Sequence, residues 1–446
     1  MPTQTEIIDA LHFEMTGLAD PAVNTTSNAA WTFTFQFEST DPADLPTSTE
    51  YTGWTALSEA ERANVRTLMD HIESIVNVLF IEVTSNADPD LNIGKVDLPD
   101  FSGFGGYSYS YTGQGELARY DGYALFDNTL DLTTQDNLIL HELGHAMAIE
   151  HPFSGPDTLS GEFDSNKYTV MSYDPNADNG LDGDALQLFD ILALQARWGA
   201  NDTTNPTADH YTGPRNSTVD AIWDSGGTDW LDAKAMITPV SLSLIEGTFS
   251  SFETTDDVVI AYNVVIEHAS GGKDDDTVLG NDIRNKLYGR DGHDMLWGGS
   301  GDDDLVGGRG NDMMHGGDDA DLLKGGNGRD IMNGDAGDDT LRGGNGKDTL
   351  DGGTGTDSLF GNKGVDTFLF VSGYGTDTVM DFEDDKDRIL FDIEGLTTRS
   401  LIRKVAVQDG DDVVYDFGEG DILRVINITV AAMENDINTF DSLAIA

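Results

Sequence analysis

The chain of 446 residues contains no cysteine. Disulfides, thiolate-ligated metals and cysteine nucleophiles are excluded together, and so is latency enforced by a propeptide cysteine. Long apolar runs are also missing. No stretch approaches the ~18 residues that a membrane-spanning helix needs, so no stable membrane insertion is expected. Basic residues are scarce: 24 Lys and Arg face 81 Asp and Glu, for a net charge of −57. Such a chain is a poor partner for nucleic acid or anionic lipid. It also repels itself when compact unless specific cations neutralise it. The opening "MPTQTEIIDALHFEM" has acids but no basic n-region with an apolar core, so it does not read as a Sec signal, and any export takes another route.

What is present suffices for real cores. Hydrophobic residues make up 38% and aromatics 9%, and the length suggests two or three domains. Residues 1–30 are polar and weakly patterned. "WTFTFQF" (Trp31 to Phe37) alternates like a half-buried strand. Apolar side chains from Val65 to Leu79 follow helical spacing, with Ser58 and Glu61 as a capping box; His71 in that helix reads as a surface or half-buried residue. "GGYSYSYTG" and "YDGYALFD" read as strands, the first either an edge on which an extended peptide docks or an internal strand. A second helix, with Thr133 and Asp136 as its capping pair, precedes a third, "DALQLFDILALQARWG", that stops at Gly199. Strands and helices together predict an α+β domain over residues 26–205.

Beyond about residue 210, glycine and aspartate dominate. From Gly271 to Leu369 the chain runs through eleven nine-residue units without an insertion. The sixth position is Asp276, Asp294, Asp303, Asp312, Asp321, Asp330, Asp339, Asp348, Asp357 and Asp366, interrupted only by Asn285; the eighth is apolar throughout, from Val278 to Phe368. A solvated acidic tail would not hold two phases this strictly, and a fixed short period marks a solenoid. The expected fold is an all-β parallel β-roll: glycine-rich turns, three-residue strands and a thin core of eighth-position side chains. Stacked turns bring carboxylates together, which calls for a hard cation taking six to eight oxygens, Ca²⁺. The units resemble the RTX calcium-binding nonapeptide, which implies folding driven by several structural Ca²⁺ ions.

Three of the nine histidines lie in "HELGHAMAIEH", residues 141–151. On a helix, His141 and His145 share a face and can reach one metal. Glu142 points near the open coordination side as a general base, and three imidazoles leave tetrahedral Zn²⁺ one position open. His151 joins them only if the helix ends and the chain turns back.

The segment is similar to the metzincin signature H-E-x-x-H-x-x-G-x-x-H, and "TVMSYDP" resembles the Met-turn of serralysins. "LFDILALQARWGAN" resembles the helix after that turn, and "IWDSGGTDWLDA" the calcium-binding lead-in to the C-terminal domain. The resemblance to serralysin-type secreted metalloendopeptidases implies one catalytic Zn²⁺ on His141, His145 and His151, with Glu142 as base. It further implies Met171 as a hydrophobic floor and Tyr173 as a displaceable fifth ligand that stabilises an oxyanion. Asp224, Gly226, Gly227 and Asp229 match its calcium pattern, as do the ten nonad aspartates. It implies protein and peptide substrates, a monomer, and signal-independent type I secretion to the extracellular space, with the ending "NTFDSLAIA" as the export signal. Ala148 departs from the family's glycine, which predicts strain at the helix end of the order of 1 kcal/mol and leaves the placement of His151 to be tested.

The expected organisation is 1–25, an N-terminal segment, either a short propeptide or a piece packing on the roll; 26–205, the catalytic domain; 206–270, linker and calcium-binding lead-in strands; 271–369, the roll; and 370–446, a C-terminal β region with the export signal. The competing reading is an RTX calcium-binding adhesin or surface module with a degenerate protease-like domain. A third is a metal-dependent hydrolase of another amide bond.

Overall fold

The computed structural model describes residues 1–12, 29–40, 42, 52–84, 88–99, 101–111, 117–154, 158–159, 161–176, 183–214, 219–252, 256–393 and 405–439. The chain divides into two compact units. One comprises Met1–Pro206, Pro214–Gly226 and Asp256–Val264; the other comprises Thr207–Gly213, Gly227–Thr255 and Val265–Ala446. The segment read as linker and lead-in strands is therefore shared between them.

The first unit is α+β. Its strands are β1 (Trp31–Phe37), β2 (Thr52–Thr55), β3 (Val78–Glu82), β4 (Leu91–Asp97), β5 (Gly103–Tyr111) and β6 (Leu117–Asp127). They form one sheet in the order β3-β1-β4-β6-β5, with β2 also on β4. The path is parallel from β3 to β6, and β5 joins β6 antiparallel at the edge. The "GYSYSY" segment, open between edge and interior in the sequence, is thus an edge strand whose described partner is β6. In β1 the alternation holds: Phe33, Phe35 and Phe37 are buried on one face.

Four helices complete the unit: α1 (Gln4–Leu11) packs on α4 (Leu188–Trp198), α2 (Glu59–Ile75) on β3, and α3 (Asp136–Ala146) on β5 and β6, while Trp198 of α4 meets Phe33 of β1. The Ser58–Glu61 capping box forms as expected. The α2 helix, however, ends at Ile75 rather than Leu79, because Val78 to Glu82 extend to pair with β1 and leave Leu79 exposed. A short apolar run fits either period, and here pairing with a neighbouring strand decides it. The α3 cap also differs. Thr133 lies in a separate 3₁₀ turn (Leu132–Thr134) capped by Asp131, and the α3 N-cap, Gln135, makes no side-chain bond. The α4 helix starts at Leu188 and stops at Gly199, whose φ of 88° suits only glycine well. Residues 4–11, weakly patterned by hydrophobicity, form a helix started by a Thr3–Glu6 capping box.

The second unit is the β-roll. Successive turns alternate between two parallel sheets, so neighbours within a sheet lie 18 residues apart, as in Leu287, Leu305, Leu323, Leu341 and Leu359. All eleven eighth-position side chains are fully buried. The roll continues past both ends of the strict repeat: Leu231 and Ala269 precede Leu287, while Val379 and Ile389 follow Leu359 and Phe368.

The sixth-position aspartates form two buried columns. In one, Asp276, Asp294, Asp312, Asp330 and Asp348 each donate the backbone N–H to Oδ1 of the next layer's Asp. The other runs Asn285, Asp303, Asp321, Asp339 and Asp357 in the same way. Both columns extend beyond Leu369, onto Asp377 and Asp387. From Asp294 to Asp366, every Oδ2 is buried with no hydrogen-bond donor. Asp276 is different: its Oδ1 accepts from Val240 N and its Oδ2 from Gly272 N. Asn285 accepts instead from Asn281 N in its own turn and donates to Glu267 O in the layer before.

Burial raises these carboxyls, Asp294, Asp303, Asp312, Asp321 and Asp366 to about 7 and Asp339 to about 8. A raised carboxyl pKa means the folded roll holds protons that the unfolded chain has released. Without a cation, folding is then favoured as pH falls from about 8 towards 4 and disfavoured as it rises through that window. In chelator, strand circular dichroism is expected to grow as pH drops from about 8 to 5; a signal that is flat or falling would contradict the buried columns.

Candidate metal centre

The site is built on α3. His141 and His145 lie one turn apart, and the rings of His141, His145 and His151 converge so that their ligating nitrogens all lie within 4.8 Å of one another. His151 Nε2 is 3.2 Å from His141 Nε2 and 3.1 Å from His145 Nε2. Tetrahedral ligation at a Zn–N bond of 2.0–2.1 Å would separate nitrogens by about 3.3 Å, so the donors stand where one such ion needs them.

The opposite ring nitrogens fix the tautomers. His141 Nδ1 donates to Val170 O at 2.7 Å and His145 Nδ1 to Ile149 O at 2.9 Å, leaving each Nε2 lone pair facing inward. Burial lowers all three pKa values, His145 to about 3 and His151 to about 4, so the rings are neutral near pH 7, the form that could bind a metal.

The turn back to His151 is a Schellman motif with Ala148 in the left-handed position at φ 69°. Ile149 N donates to Gly144 O and Ala148 N to His145 O. The last carbonyls of α3 also gain donors from elsewhere: Tyr120 Oη on Ala146 O at 2.6 Å and Trp198 Nε1 on Met147 O at 3.0 Å. The departure at Ala148 therefore leaves His151 beside its two partners.

Glu142 is buried, and its Oε2 has no donor. Burial raises its pKa to about 8, against a lowering contribution from the Gly105 amide. It lies against β5, where a Cβ on Gly103 would come 2.3 Å from Oε1 and one on Gly105 2.8 Å from Oε2. These glycines make room for the carboxylate, a role that strand patterning did not reveal.

Met171 is fully buried beneath the site, its Sδ filling the space that a Cβ on Gly144 would enter at 2.6 Å. Its turn is tied down by Asp190 of α4. Asp190 Oδ1 accepts from Thr169 Oγ1, and Oδ2 accepts from Val170 N and Gln187 N. Val170 in turn presents its carbonyl to His141. Asp190 escaped the sequence reading because the partners on the Met171 turn, Thr169 and Val170, lie 21 and 20 residues upstream, outside any helical or strand period.

Tyr173 is 68% exposed, and its ring lies 4.7 Å from that of His151 and 5.5 Å from that of His141. Phe153, also unforeseen, stacks face to face on His151 at 4.9 Å.

The residues expected to bind calcium ahead of the roll occupy tight turns. Asp224 is buried, with Oδ1 accepting from Gly226 N. Gly227 has φ 152° and sits where a Cβ would strike Thr207 O at 2.3 Å. Asp229 is fully buried and accepts from Asp209 N.

A helix bearing two histidines, joined by a third after the turn at its end and lying against a glycine-lined edge strand, carried in one chain with an acidic parallel β-roll, defines a metzincin-like, RTX-containing protein. The family model "Peptidase M10 serralysin C terminal" matches residues 195–440, more than half of the chain, and the chain belongs to the serralysin family. Serralysin from Photorhabdus laumondii is 29% identical over 294 residues, covering 58% of this chain and 60% of that protein. Serralysin from Proteus mirabilis is 29% identical over 273 residues, 52% of this chain and 56% of that one. A metallopeptidase from Pseudomonas marginalis is 27% identical over 276 residues, 53% and 57% of the two chains. The matches thus span under two thirds of these curated relatives.

Replacing Ala148 with glycine removes the left-handed penalty and keeps the motif. Ala148→Gly is expected to stabilise the first unit by about 1 kcal/mol, read as an unfolding midpoint about 2–4 °C higher in saturating calcium. A lower midpoint would show that the alanine side chain contributes more than its backbone strain removes.

Proposed function

We propose that the protein is a secreted zinc metalloendopeptidase that hydrolyses peptide bonds of proteins, with Ca²⁺ ordering its roll. The observation that carries this reading is the convergence of three neutral imidazole nitrogens beside a buried glutamate with one unpaired oxygen. His141, His145 and His151 would hold the Zn²⁺. That ion supplies Lewis acidity toward the scissile carbonyl and toward water.

The chain's own groups do the rest. An extended substrate adds along the edge of β5 opposite β6, placing its backbone alongside Glu142. Glu142 takes a proton from the attacking water and delivers it to the departing amine. Its high pKa comes from burial; a cation held by the three histidines would favour the ionised form that acts as base. The Tyr173 hydroxyl is the donor for the developing oxyanion, and the exposure of its ring leaves it free to move as substrate arrives. Met171 and Asp190 hold the floor and act only through the histidines.

In the second unit, the unpaired Oδ2 atoms from Asp294 to Asp366 support Ca²⁺ between layers. Asp224 of the first unit and Asp229 of the second are further calcium candidates ahead of the repeat. At extracellular Ca²⁺ the roll folds; at low Ca²⁺ it is held open by its own charge. This fits passage through a type I secretion channel before folding outside.

The test is cleavage of unfolded casein in about 5 mM Ca²⁺, a level that saturates extracellular-type sites, by wild type and by Glu142→Gln at equal zinc content. The variant is expected to lose roughly 10²–10⁴-fold in kcat/KM while keeping its zinc. Equal activity in the two proteins would remove Glu142 from the mechanism. Stoichiometric zinc without cleavage of any protein substrate would favour the calcium-module reading.

A further inference from the structure

The N-terminal helix sits against the segment that carries the third histidine. Ile7 and Leu11 are fully buried and Ala10 nearly so, so one face of α1 is core. At its end the chain makes a direct backbone connection to the metal-site turn. Glu150 N donates to Leu11 O at 2.8 Å, and His12 and Ile149 form an antiparallel bridge. The His12 ring then ties the same point to α4, with Nε2 2.8 Å from Ala193 O.

The clamped residues are the ones the metal site depends on. The Ile149 carbonyl orients His145 through its Nδ1–H, and Glu150 directly precedes His151. One residue upstream is Ala148, held at φ 69°. A non-glycine residue in that conformation relaxes unless its surroundings prevent it. Relaxation there would swing Ile149 and His151 away from His141, and the bridge to Leu11 and His12 opposes that movement.

We propose that α1 and His12 are positioning elements of the zinc site: by clamping residues 149–150 they hold His145 and His151 in ligating geometry against the strain at Ala148. This rests on the zinc reading above. A merely structural α1 would add burial to the unit and nothing to the metal. A positioning α1 sets the affinity and coordination geometry of the ion in molecules that remain folded. Groups of this kind, which orient ligands without touching the metal, typically change affinity 10–100-fold when lost.

The experiment uses the full chain in saturating calcium and three variants: the double substitution Ile7→Ser/Leu11→Ser, which undocks the helix; His12→Ala, which removes only the link to α4; and His12→Gln, which can restore a donor there. Zinc affinity is measured by competition with a fluorescent chelator, and coordination by the visible absorption of the Co²⁺-substituted protein. Folding is followed by circular dichroism, and docking of residues 1–12 by amide hydrogen exchange.

The double variant is expected to bind zinc 10–100-fold more weakly with an altered Co²⁺ spectrum and unchanged strand signal. His12→Ala should lie between it and wild type, and His12→Gln near wild type. Adding Ala148→Gly to the double variant should recover part of the affinity, because the turn then no longer needs the clamp. Wild-type affinity and spectrum in a chain whose helix is shown by exchange to be undocked would overturn the proposal. If the double variant fails to fold, His12→Ala decides the matter alone: unchanged affinity overturns the proposal and weakened affinity sustains it. Wild-type protein that binds no zinc would instead sink the metalloprotease reading beneath it, an outcome read before any variant is made.

Discussion

Burying a carboxylate oxygen with no donor beside it costs several kcal/mol if the group stays charged, and both units of this chain do so. In the roll it happens layer after layer, at the Oδ2 atoms from Asp294 to Asp366; in the first unit it happens at Glu142 Oε2. Each such oxygen must take a proton or face a cation. The net charge of −57 makes the proton a poor general answer near neutral pH, because the exposed carboxylates stay ionised and go on repelling each other. A divalent ion answers both problems at once. The proposed calcium and zinc sites therefore share one physical device, a void in the hydrogen-bond pattern shaped for a cation.

The backbone around these voids is not improvised for the ion. Each aspartate's Oδ1 accepts an N–H from the layer before it, which fixes the carboxylate's plane. The glycines beside Glu142 leave it a slot, and two helix neighbours with His151 beyond the turn aim three nitrogens at one point. Such preorganisation keeps the entropy of ordering the ligands out of the binding step. It also explains the difference at Asp276, where Val240 and Gly272 supply donors to both oxygens: the column's first layer is closed by the chain itself.

Legibility in the sequence followed the range of the interactions. The roll is quasi-one-dimensional, so an apolar residue and an Asp repeated at fixed phase were enough to name every buried apolar side chain from Val278 to Phe368. Reading stopped at Leu369 because the spacing to the next layer changes there; Asp377 and Asp387 continue the columns 20 and 21 residues on. In the first unit, the histidine spacing and the Ser58 cap were visible because they are local. The strand that truncates α2 and the Asp190 anchor were not, because each is decided by a partner distant in sequence. The α1 helix was an intermediate case: its capping box stands in the sequence at Thr3 and Glu6, but eight residues give little hydrophobic pattern, and packing supplies the rest of its stability.

Ala148 shows why a motif can lose a residue and keep its geometry. Glycine at a helix terminus is favoured because it reaches positive φ without a steric penalty, a local advantage of about 1 kcal/mol. In this chain the same turn is held by the two Schellman bonds, by Tyr120 and Trp198 on the final carbonyls, and by the Leu11 carbonyl on Glu150. At about 0.5–1.5 kcal/mol for each net hydrogen bond, these contacts together outweigh the strain. Several of them come from elements remote in sequence: β6, α4 and α1. The conformation of the turn has thus moved from being encoded by one residue to being encoded by the packing around it. A search that demanded glycine at that position would pass over a site whose three histidines stand in register.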